Sequence, residues 1–312
     1  MQTIPLRRSA LALAALLAAG CRADAAPAAR GATSAAGAAR NAQCEVLEKG
    51  LTLAEDLKET SGLAESRLHP GVYWTHNDSG HGPHVYAISA EGTTLAKVRV
   101  EGATNGDWED IADAPCPGGA GSCLYIADTG DNSRGDSGKH SVRLVVLPEP
   151  QSGATTAAAR EYVGRVPGKR TDIEALAVLP DGRIYLVSKG INDEIALFRW
   201  PTPLVPGQEA ELERVRRLAP QAQELGDRVT GASATPDGRW VAVRTYAALA
   251  FYRTADLLGS GGPASQLDLE PLGETQGEAV SLADDGTVML TSEGPGHHIS
   301  GTLAHLRCAL PR

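Results

Sequence analysis

Aromatic residues are scarce in this chain of 312 residues, which contains only 2 Phe, 7 Tyr and 4 Trp. Almost no long stretch places apolar residues at the 3.6-residue period of an amphipathic helix, which argues against a helical fold. Basic residues are outnumbered as well, with 29 Lys and Arg against 38 Asp and Glu and a net charge of −9. This balance argues against nucleic acid and anionic lipid surfaces as partners.

The standard catalytic signatures are absent from the sequence. It contains no Gly-x-Ser-x-Gly elbow, no His-Glu-x-x-His and no phosphate-binding loop. A site assembled from separate repeats leaves no contiguous motif, so this absence weakens the case for an enzyme without closing it.

The apolar run Ala10–Ala19 is too short to span a bilayer stably, and Arg7 and Arg8 precede it. A basic segment, a short apolar segment and a small-residue cleavage site predict a secretory signal peptide over residues 1–21. The run ends in Leu-Ala-Ala-Gly-Cys21, which resembles the lipobox of bacterial lipoproteins, where the cysteine becomes the lipidated first residue. The alternative is ordinary cleavage near Ala25, which would discard Cys21.

Residues 22–43 hold no large apolar side chain and predict a disordered, alanine-rich tether. Residues 44–312 then form one folded domain, which is long for an ordinary domain but suits one built from repeats.

A short unit recurs along this domain: a polar residue, an apolar strand, an Asp-Gly turn and a second apolar strand. Three copies begin at Glu174, Thr230 and Glu278, and in each the turn glycine follows eight residues later. Asp-Gly between apolar runs is a strong hairpin signal because glycine accepts a positive φ. Hairpins repeated in register predict blades stacked around an axis.

Two looser copies begin at Ser61 and Glu109, and further strand-like segments follow every hairpin. The sequence therefore predicts an all-β protein, a β-propeller of five four-stranded blades. The fifth blade lacks an outer strand, which the segment Glu45–Leu53 at the N-terminus would supply. Six blades remain an alternative because residues 147–170 are long and poorly patterned.

The cysteines fit an oxidising compartment. Cys116 and Cys123 flank a flexible loop that can close locally, and a Cys44–Cys308 bridge would tie the two ends of the fold together. This pairing is inferred from chain position alone.

Aligning the five units predicts an inner ring at the leading ends of the innermost strands. Its members are Ser61, Glu109, Glu174, Thr230 and Glu278, with Asp107, Asp110 and Asp172 beside them. Carboxylates that converge on one axis repel each other unless a cation, protonation or basic groups compensate them. Ca²⁺ is the hard cation expected outside the cell. The alternative is a water-filled channel in which the glutamates bind backbone N–H groups and water.

The ends of the second strands predict another ring of polar residues. It consists of His76, Asn77, Asp78, Asp128, Asp131, Asn132, Ser188, Lys189, Arg244, Ser292 and Glu293. Lys189 and Arg244 would bind an anionic group, and the carboxylates would hold a metal. The oxygen-rich run from Asp128 to Asn132 suits Ca²⁺ in composition, yet tight turns favour the same residues. Trp108 would stack on a ligand or, like Trp74, pack between blades.

Several longer motifs carry a resemblance to a known family. They are Trp74-Thr-His-Asn-Asp-Ser-Gly80, Gly102-Ala-Thr-Asn-Gly-Asp-Trp-Glu-Asp-Ile111, Ala127-Asp-Thr-Gly-Asp-Asn132, Pro148-Glu-Pro150, Glu59-Thr-Ser-Gly-Leu and Gly277-Glu-Ala. Together they resemble a largely uncharacterised family of exported bacterial β-propeller proteins, over roughly residues 57–300. More distantly, the acidic strand starts resemble those of phytase-like propellers, which bind phosphate groups through Ca²⁺ and carboxylates. The denser acidic run of those phytases is absent here.

Three functions remain open at this point. The first is a binding module for a small polar or anionic ligand, held at the channel with a divalent cation. The second is a hydrolase of phosphate esters, in which Asp107, Glu109 or Glu174 orients a water molecule while Lys189 and Arg244 stabilise developing charge. The third is a scaffold for envelope proteins. We expect a monomer of the cell envelope whose membrane contact is its lipid anchor, or otherwise a secreted protein.

Overall fold

The computed structural model describes residues 39–130, 141–168 and 171–310, and this part of the chain is almost entirely β-structure. The strands are β1 (Arg40–Asn41), β2 (Cys44–Thr52), β3 (Thr60–Glu65), β4 (Val72–Asn77), β5 (His84–Ser89), β6 (Thr94–Glu101), β7 (Trp108–Pro115), β8 (Ser122–Asp128), β9 (Ser141–Pro148), β10 (Thr156–Ala158), β11 (Arg160–Arg165), β12 (Ile173–Val178), β13 (Ile184–Ser188), β14 (Ile195–Trp200), β15 (Ala210–Glu211), β16 (Glu213–Ala219), β17 (Val229–Ala234), β18 (Trp240–Thr245), β19 (Ala248–Arg253), β20 (Ser265–Asp268), β21 (Gln276–Leu282), β22 (Thr287–Glu293) and β23 (Thr302–Cys308). One short helix, α1 (Thr254–Leu258), follows β19.

The strands form five sheets, and the predicted five-bladed propeller is confirmed. Each blade is an antiparallel run of four strands: β3–β6 in blade 1, β7–β8–β9–β11 in blade 2, β12–β13–β14–β16 in blade 3, β17–β20 in blade 4 and β21–β22–β23–β2 in blade 5. The innermost strands β3, β7, β12, β17 and β21 contact one another around the axis. The poorly patterned stretch that left six blades open contributes β10 and β11 to blades 1 and 2 instead.

The ring is closed by the two ends of the chain. The N-terminal strand β2 pairs antiparallel with β23, and Cys44 lies directly opposite Cys308. These two residues form a disulfide across 264 positions, and Cys116–Cys123 forms a second one. Both predicted bridges are therefore confirmed, and they are typical of a protein that folds in an oxidising compartment.

Three very short strands cross from one blade to the edge of the preceding one. β10 pairs parallel with β6, β15 with β11, and β1 with β20. Each of them immediately precedes the outer strand of its own blade. The β1 strand lies in the segment predicted as a tether, so the described fold begins before Cys44.

Apolar side chains fill the five interfaces between neighbouring blades, each of which holds its own core cluster. The scarce large aromatics lie there: Trp74 and Trp108 between blades 1 and 2, Trp200 between blades 2 and 3, and Trp240 between blades 4 and 5. Trp108 is fully buried and its indole Nε1 donates to the Thr104 carbonyl at 3.0 Å. Packing is thus the observed role of Trp74 and Trp108.

Every innermost strand carries a β-bulge where its first residues pair with the second strand. The register shifts at Ser61–Gly62, Glu109, Glu174, Thr230 and Glu278. A bulge leaves a residue outside the regular ladder and bends the strand there. The bulged positions include all five members of the predicted inner ring.

The predicted signal peptide and Cys21 lie outside the described residues. Within those residues, no helix is long and apolar enough to cross a bilayer.

Candidate functional site

The two hydroxyl side chains of the inner ring hold neighbouring blades together. Ser61 Oγ donates to the Glu109 carbonyl at 2.7 Å, and Thr230 Oγ1 donates to the Glu278 carbonyl at 2.9 Å. Both residues are buried. Each hydroxyl therefore contacts the backbone of the glutamate that occupies the equivalent position in the next blade.

The three glutamates of the ring have buried carboxyl groups. Burial, together with neighbouring carboxylates, raises the pKa of Glu109 and Glu174 well above the usual value. Burial also raises the pKa of Glu278 to about 7. A carboxyl group whose pKa is near 7, as that of Glu278 is, retains its proton in part of the molecules at neutral pH.

Lys189 supplies a positive charge to this ring. It follows β13, and its Nζ lies 2.7 Å from Glu174 Oε1. Burial alone lowers the pKa of Lys189, but Glu174, Asp172 and Glu109 outweigh that effect and raise it. The backbone of Lys189 is fixed on both sides, because its N–H donates to the Asp172 carbonyl at 2.9 Å and its carbonyl accepts from Val229 N–H at 3.1 Å. The ammonium is therefore charged and held in place.

Seven carboxyl groups share this electrostatic environment: Asp78, Asp107, Glu109, Asp172, Glu174, Glu278 and Glu293. Burial raises the pKa of Asp78 to about 6 and that of Glu293 to about 9. Among the described residues, Lys189 is the cation that interacts with most of them. Lys189 therefore faces several acidic groups at once.

Asp78, Asp107 and Glu109 form the tightest acidic group. One carboxylate oxygen from each lies within 4.8 Å of the other two. Asp78 follows the end of β4, whereas Asp107 and Glu109 lie at the start of β7. The backbone of Gly130 closes over this trio, since a Cβ there would lie 2.6 Å from Asp107 Oδ2 and would also collide with Glu109. Only glycine leaves room for the carboxylates at this point.

The trio fits a hard divalent cation. Ca²⁺ binds oxygen at about 2.4 Å, so two of its oxygen ligands lie at most about 4.8 Å apart. Ca²⁺ takes six to eight oxygens in proteins. Three carboxylates thus provide part of a coordination sphere, and ligand or water oxygens would provide the rest.

Tyr246 and Gln276 complete the ring and were not predicted from the sequence. The Tyr246 hydroxyl donates to Glu278 Oε1 at 3.1 Å, and Gln276 Nε2 donates to the same oxygen at 2.8 Å. Asn105 was also missed, and its Nδ2 donates to the carbonyls of Asn77 and Asp78 at 3.0 and 2.9 Å. All three lie in connections or at a strand start, where no repeated pattern marks them.

Two residues predicted to bind ligand, His76 and Asn77, have contacts within the fold. His76 is fully buried, its ring lies edge-on to Trp108 at 5.6 Å, and burial lowers its pKa to about 4. Asn77 Nδ2 donates to the Asp56 carbonyl at 2.7 Å. His76 is therefore neutral at pH 7, and Asn77 anchors the segment that precedes β3.

Arg244 is fully buried at the interface between blades 4 and 5. Its Nη1 donates to the Ala279 carbonyl at 2.6 Å and to the Thr291 carbonyl at 3.1 Å, and its Nη2 contacts Glu274. These contacts engage both terminal nitrogens of the guanidinium within the fold, so we leave Arg244 out of the site proposed below.

Two predicted metal ligands also hold backbone groups. Asp110 accepts hydrogen bonds from the N–H groups of Ile111, Leu176 and Ala232 at 2.9, 2.8 and 3.0 Å, and so connects blades 2, 3 and 4 at the axis. Asp128 accepts from Asp107 N–H at 2.8 Å and binds Arg143 at 2.6 Å. Neither belongs to the tight trio. The predicted ligands Asp131 and Asn132 lie outside the described residues.

The fold and the site define a five-bladed propeller with a carboxylate-rich ring around its axis. No protein-family model matches the sequence, and no curated protein matches it. Among solved structures, the chain is similar to a glucose dehydrogenase, with a TM-score of 0.50 and 13% identity over 86% of this chain and 100% of that one. A likeness at this identity supports the propeller fold alone.

Proposed function

We propose that this protein is an exported, lipid-anchored propeller that binds a divalent cation together with a small polar or anionic ligand at the axial ring. The closeness of the carboxylate oxygens of Asp78, Asp107 and Glu109, within 4.8 Å of one another, carries this proposal, because the mutual repulsion of close carboxylates is costly. A bound cation would offset that cost.

The acidic trio Asp78, Asp107 and Glu109 is the proposed cation position. Its three oxygens are close enough for shared ligation, and the absence of a side chain at Gly130 leaves room for them. Glu174 is already engaged with Lys189 at 2.7 Å, so it contributes less to the cation. We propose Ca²⁺ because it accepts an irregular set of oxygen ligands and is abundant outside the cell.

The ligand position is proposed on the other side of the ring, among Lys189, Tyr246, Gln276, Glu278 and Glu293. Lys189 and the cation would both attract an anionic group, whereas the hydroxyl, amide and carboxyl groups would bind polar ligand atoms. These polar side chains favour a hydroxylated or phosphorylated small molecule over an apolar one.

A thermal-denaturation series tests the cation proposal. Ca²⁺ at about 100 times its dissociation constant should stabilise the folded chain by about 2.7 kcal/mol, and EDTA should reverse the shift. Asp107→Asn combined with Glu109→Gln should abolish the shift. Asp284→Asn combined with Asp285→Asn removes two carboxylates beyond the opposite end of β21 and should leave the shift intact. Equal Ca²⁺ shifts in both double variants would contradict the proposed position.

A metal-dependent phosphoesterase is the second candidate function. The favouring observation is that Glu278 has a pKa of about 7 and lies in the same ring as the cation trio. A group with a pKa near the working pH is an effective general acid. Hydrolysis of p-nitrophenyl phosphate with Ca²⁺, lost in Glu278→Gln, would support this candidate. If Ca²⁺ binds but no hydrolysis is observed, the result would favour the binding module over the phosphoesterase.

The cellular location is proposed from the signal peptide and Cys21, together with the two disulfides. This location can be tested by growing bacteria that express the chain in the presence of an alkyne fatty acid, which labels lipidated proteins. The parent chain should incorporate the label, whereas Cys21→Ala should not. Label-free, fully secreted parent protein would contradict the lipid anchor.

A further inference from the structure

Blade 5 has an open and strongly exposed edge. Its outer strand β2 lies at the edge of the sheet, and no other segment of residues 39–130, 141–168 and 171–310 pairs with its outer side. Seven of the nine residues of β2 are exposed, whereas β6 and β11 each bury two residues. An open edge presents backbone N–H and C=O groups that can pair with another chain.

The other blades show which kind of segment covers such an edge. Blades 1, 2 and 4 are extended by β10, β15 and β1, each of which is parallel and two or three residues long. Blade 3 has no added strand among the described residues either, but its outer strand β16 is held to the region of α1 in blade 4, because Arg216 donates to the carbonyls of Asp256, Gly259 and Gly261 at 2.9, 2.8 and 3.0 Å.

Within the described residues, blade 5 is offered no segment equivalent to β10, β15 or β1. By the same pattern its cover would precede β6, in the connection between β5 and β6 of blade 1. That connection consists only of residues 90–93, which make a tight turn. Four residues cannot leave the turn and return, so the described residues cannot extend this sheet as they extend those of blades 1, 2 and 4.

The surface chemistry of β2 indicates what would bind there. Val46 and Leu47 are 47% and 41% exposed, and Glu45 and Glu48 beside them are exposed as well. The ammonium of Lys49 donates to the Pro271 carbonyl at 3.0 Å. The edge therefore combines two apolar side chains with two glutamates and one lysine, and this excess of negative charge favours a basic and partly apolar segment.

We propose that β2 is a docking site for a short, extended, basic segment of a partner protein, which adds to blade 5 as a fifth, parallel strand. Strand addition of this kind obtains affinity from main-chain hydrogen bonds and specificity from alternate side chains. The bulges in β2 near Leu47 and Gly50 limit the regular stretch to a few residues. That length equals the length of the strands that cover the other blades, and it disfavours extended edge-to-edge aggregation. This inference is independent of the function proposed for the axial ring.

The peptide acetyl-Lys-Val-Lys-Val-Lys-Val-amide, labelled with a fluorophore, is a suitable probe. Binding to the full chain is measured by anisotropy, and amide hydrogen exchange reports where the peptide binds. We expect slower exchange in β2 and not in β6 or β11. Val46→Lys combined with Leu47→Lys should weaken binding by about tenfold or more.

Matched controls are available on strands that are already covered. Leu95 on β6 and Val163 on β11 are 55% and 39% exposed, and Leu95→Lys with Val163→Lys adds the same two charges. These substitutions should leave binding within about twofold of the parent. Equal weakening in both double variants would overturn the proposal in favour of non-specific attraction to the acidic chain. A dimer that the β2 variant dissociates would overturn it in favour of a second copy, and unchanged exchange in β2 would exclude strand addition.

Discussion

The bulged position of the innermost strand holds a hydroxyl side chain in blades 1 and 4, whereas it holds a glutamate in blades 2, 3 and 5. The backbone is the same in both kinds of blade, because all five strands are bulged at this position. The hydroxyls of Ser61 and Thr230 bind the next blade, while the three glutamates place carboxyl groups in the ring. One repeated position therefore holds neighbouring blades together in two blades and places carboxyl groups in the ring in three.

The following residue separates the two kinds of blade as well. Glycine follows the hydroxyl at Gly62 and Gly231, whereas Asp110, Ala175 and Ala279 follow the glutamates. A Cβ on Gly62 would lie 2.6 Å from Ile111 N, and one on Gly231 would lie 2.7 Å from the Glu278 carbonyl. Blades 1 and 4 thus approach their neighbours too closely for any side chain at this point.

Replacing these glycines should have the largest effect on stability. Gly62→Ala or Gly231→Ala forces a methyl group against backbone atoms that cannot move aside, and each should lower the free energy of unfolding by about 3 kcal/mol. The two sites are separate, so the double variant should lose about twice as much. Urea denaturation monitored by tryptophan fluorescence measures the loss.

The control for the glycine variants is the reverse change in a glutamate blade. Ala175→Gly should cost only about 1 kcal/mol, from backbone entropy and a lost methyl contact. Comparable losses for Gly62→Ala and Ala175→Gly would remove the proposed difference between the two kinds of blade.

Glu278→Gln should change the pH dependence of stability. The pKa of Glu278 is about 7 in the folded chain against 4.5 for an ordinary glutamate, so the folded state binds the proton more tightly. Its stabilising contribution is complete below pH 4.5 and is lost as the pH rises to about 7. The variant should therefore match the parent near pH 4 and exceed it at pH 8 by up to about 3 kcal/mol.

Urea denaturation at several pH values provides the test of Glu278. Glu45→Gln, on the exposed strand β2, should reproduce the profile of the parent. If the stability of Glu278→Gln falls as steeply as that of the parent between pH 4 and pH 7, the result would contradict the raised pKa of Glu278 in the folded chain.

Removing a ring hydroxyl should have a smaller effect that does not involve the cation. Ser61→Ala leaves the Glu109 carbonyl without its 2.7 Å donor and should cost about 1 to 2 kcal/mol. The Ca²⁺-induced stabilisation should persist, since the carboxylates remain. Glu109→Gln should show the opposite pattern, with unfolding stability retained and the Ca²⁺ effect reduced. A loss of Ca²⁺ response in Ser61→Ala alone would place the hydroxyl in the site.

The blades and the ring could be predicted because they rest on local rules. Asp-Gly turns fix a hairpin within a few residues, and the fixed offset from turn to leading residue identifies Glu174 and Glu278 without tertiary information. The Cys44–Cys308 bridge follows from ring closure. The crossing strands β1, β10 and β15 were not predicted, because two or three residues carry no period.

The roles of several buried polar residues depend on contacts that the sequence does not contain. Arg244 looks like a ligand residue by charge, yet its donors are used by the carbonyls of Ala279 and Thr291 in the next blade. Asp110 looks like a metal ligand, yet it binds three backbone N–H groups from three blades. Tyr246 enters the ring from a connection, and only the folded chain brings it to Glu278.

Calorimetric titration of Ca²⁺ into the purified chain at pH 7, in two buffers of different ionisation enthalpy, tests the central claim most directly. Cation binding at Asp78, Asp107 and Glu109 should displace protons from the acidic ring, so the apparent enthalpy should differ between the buffers. The Asp107→Asn and Glu109→Gln double variant should show neither binding nor proton release. Binding that releases no protons, or that persists in this variant, would contradict a cation site in the axial ring.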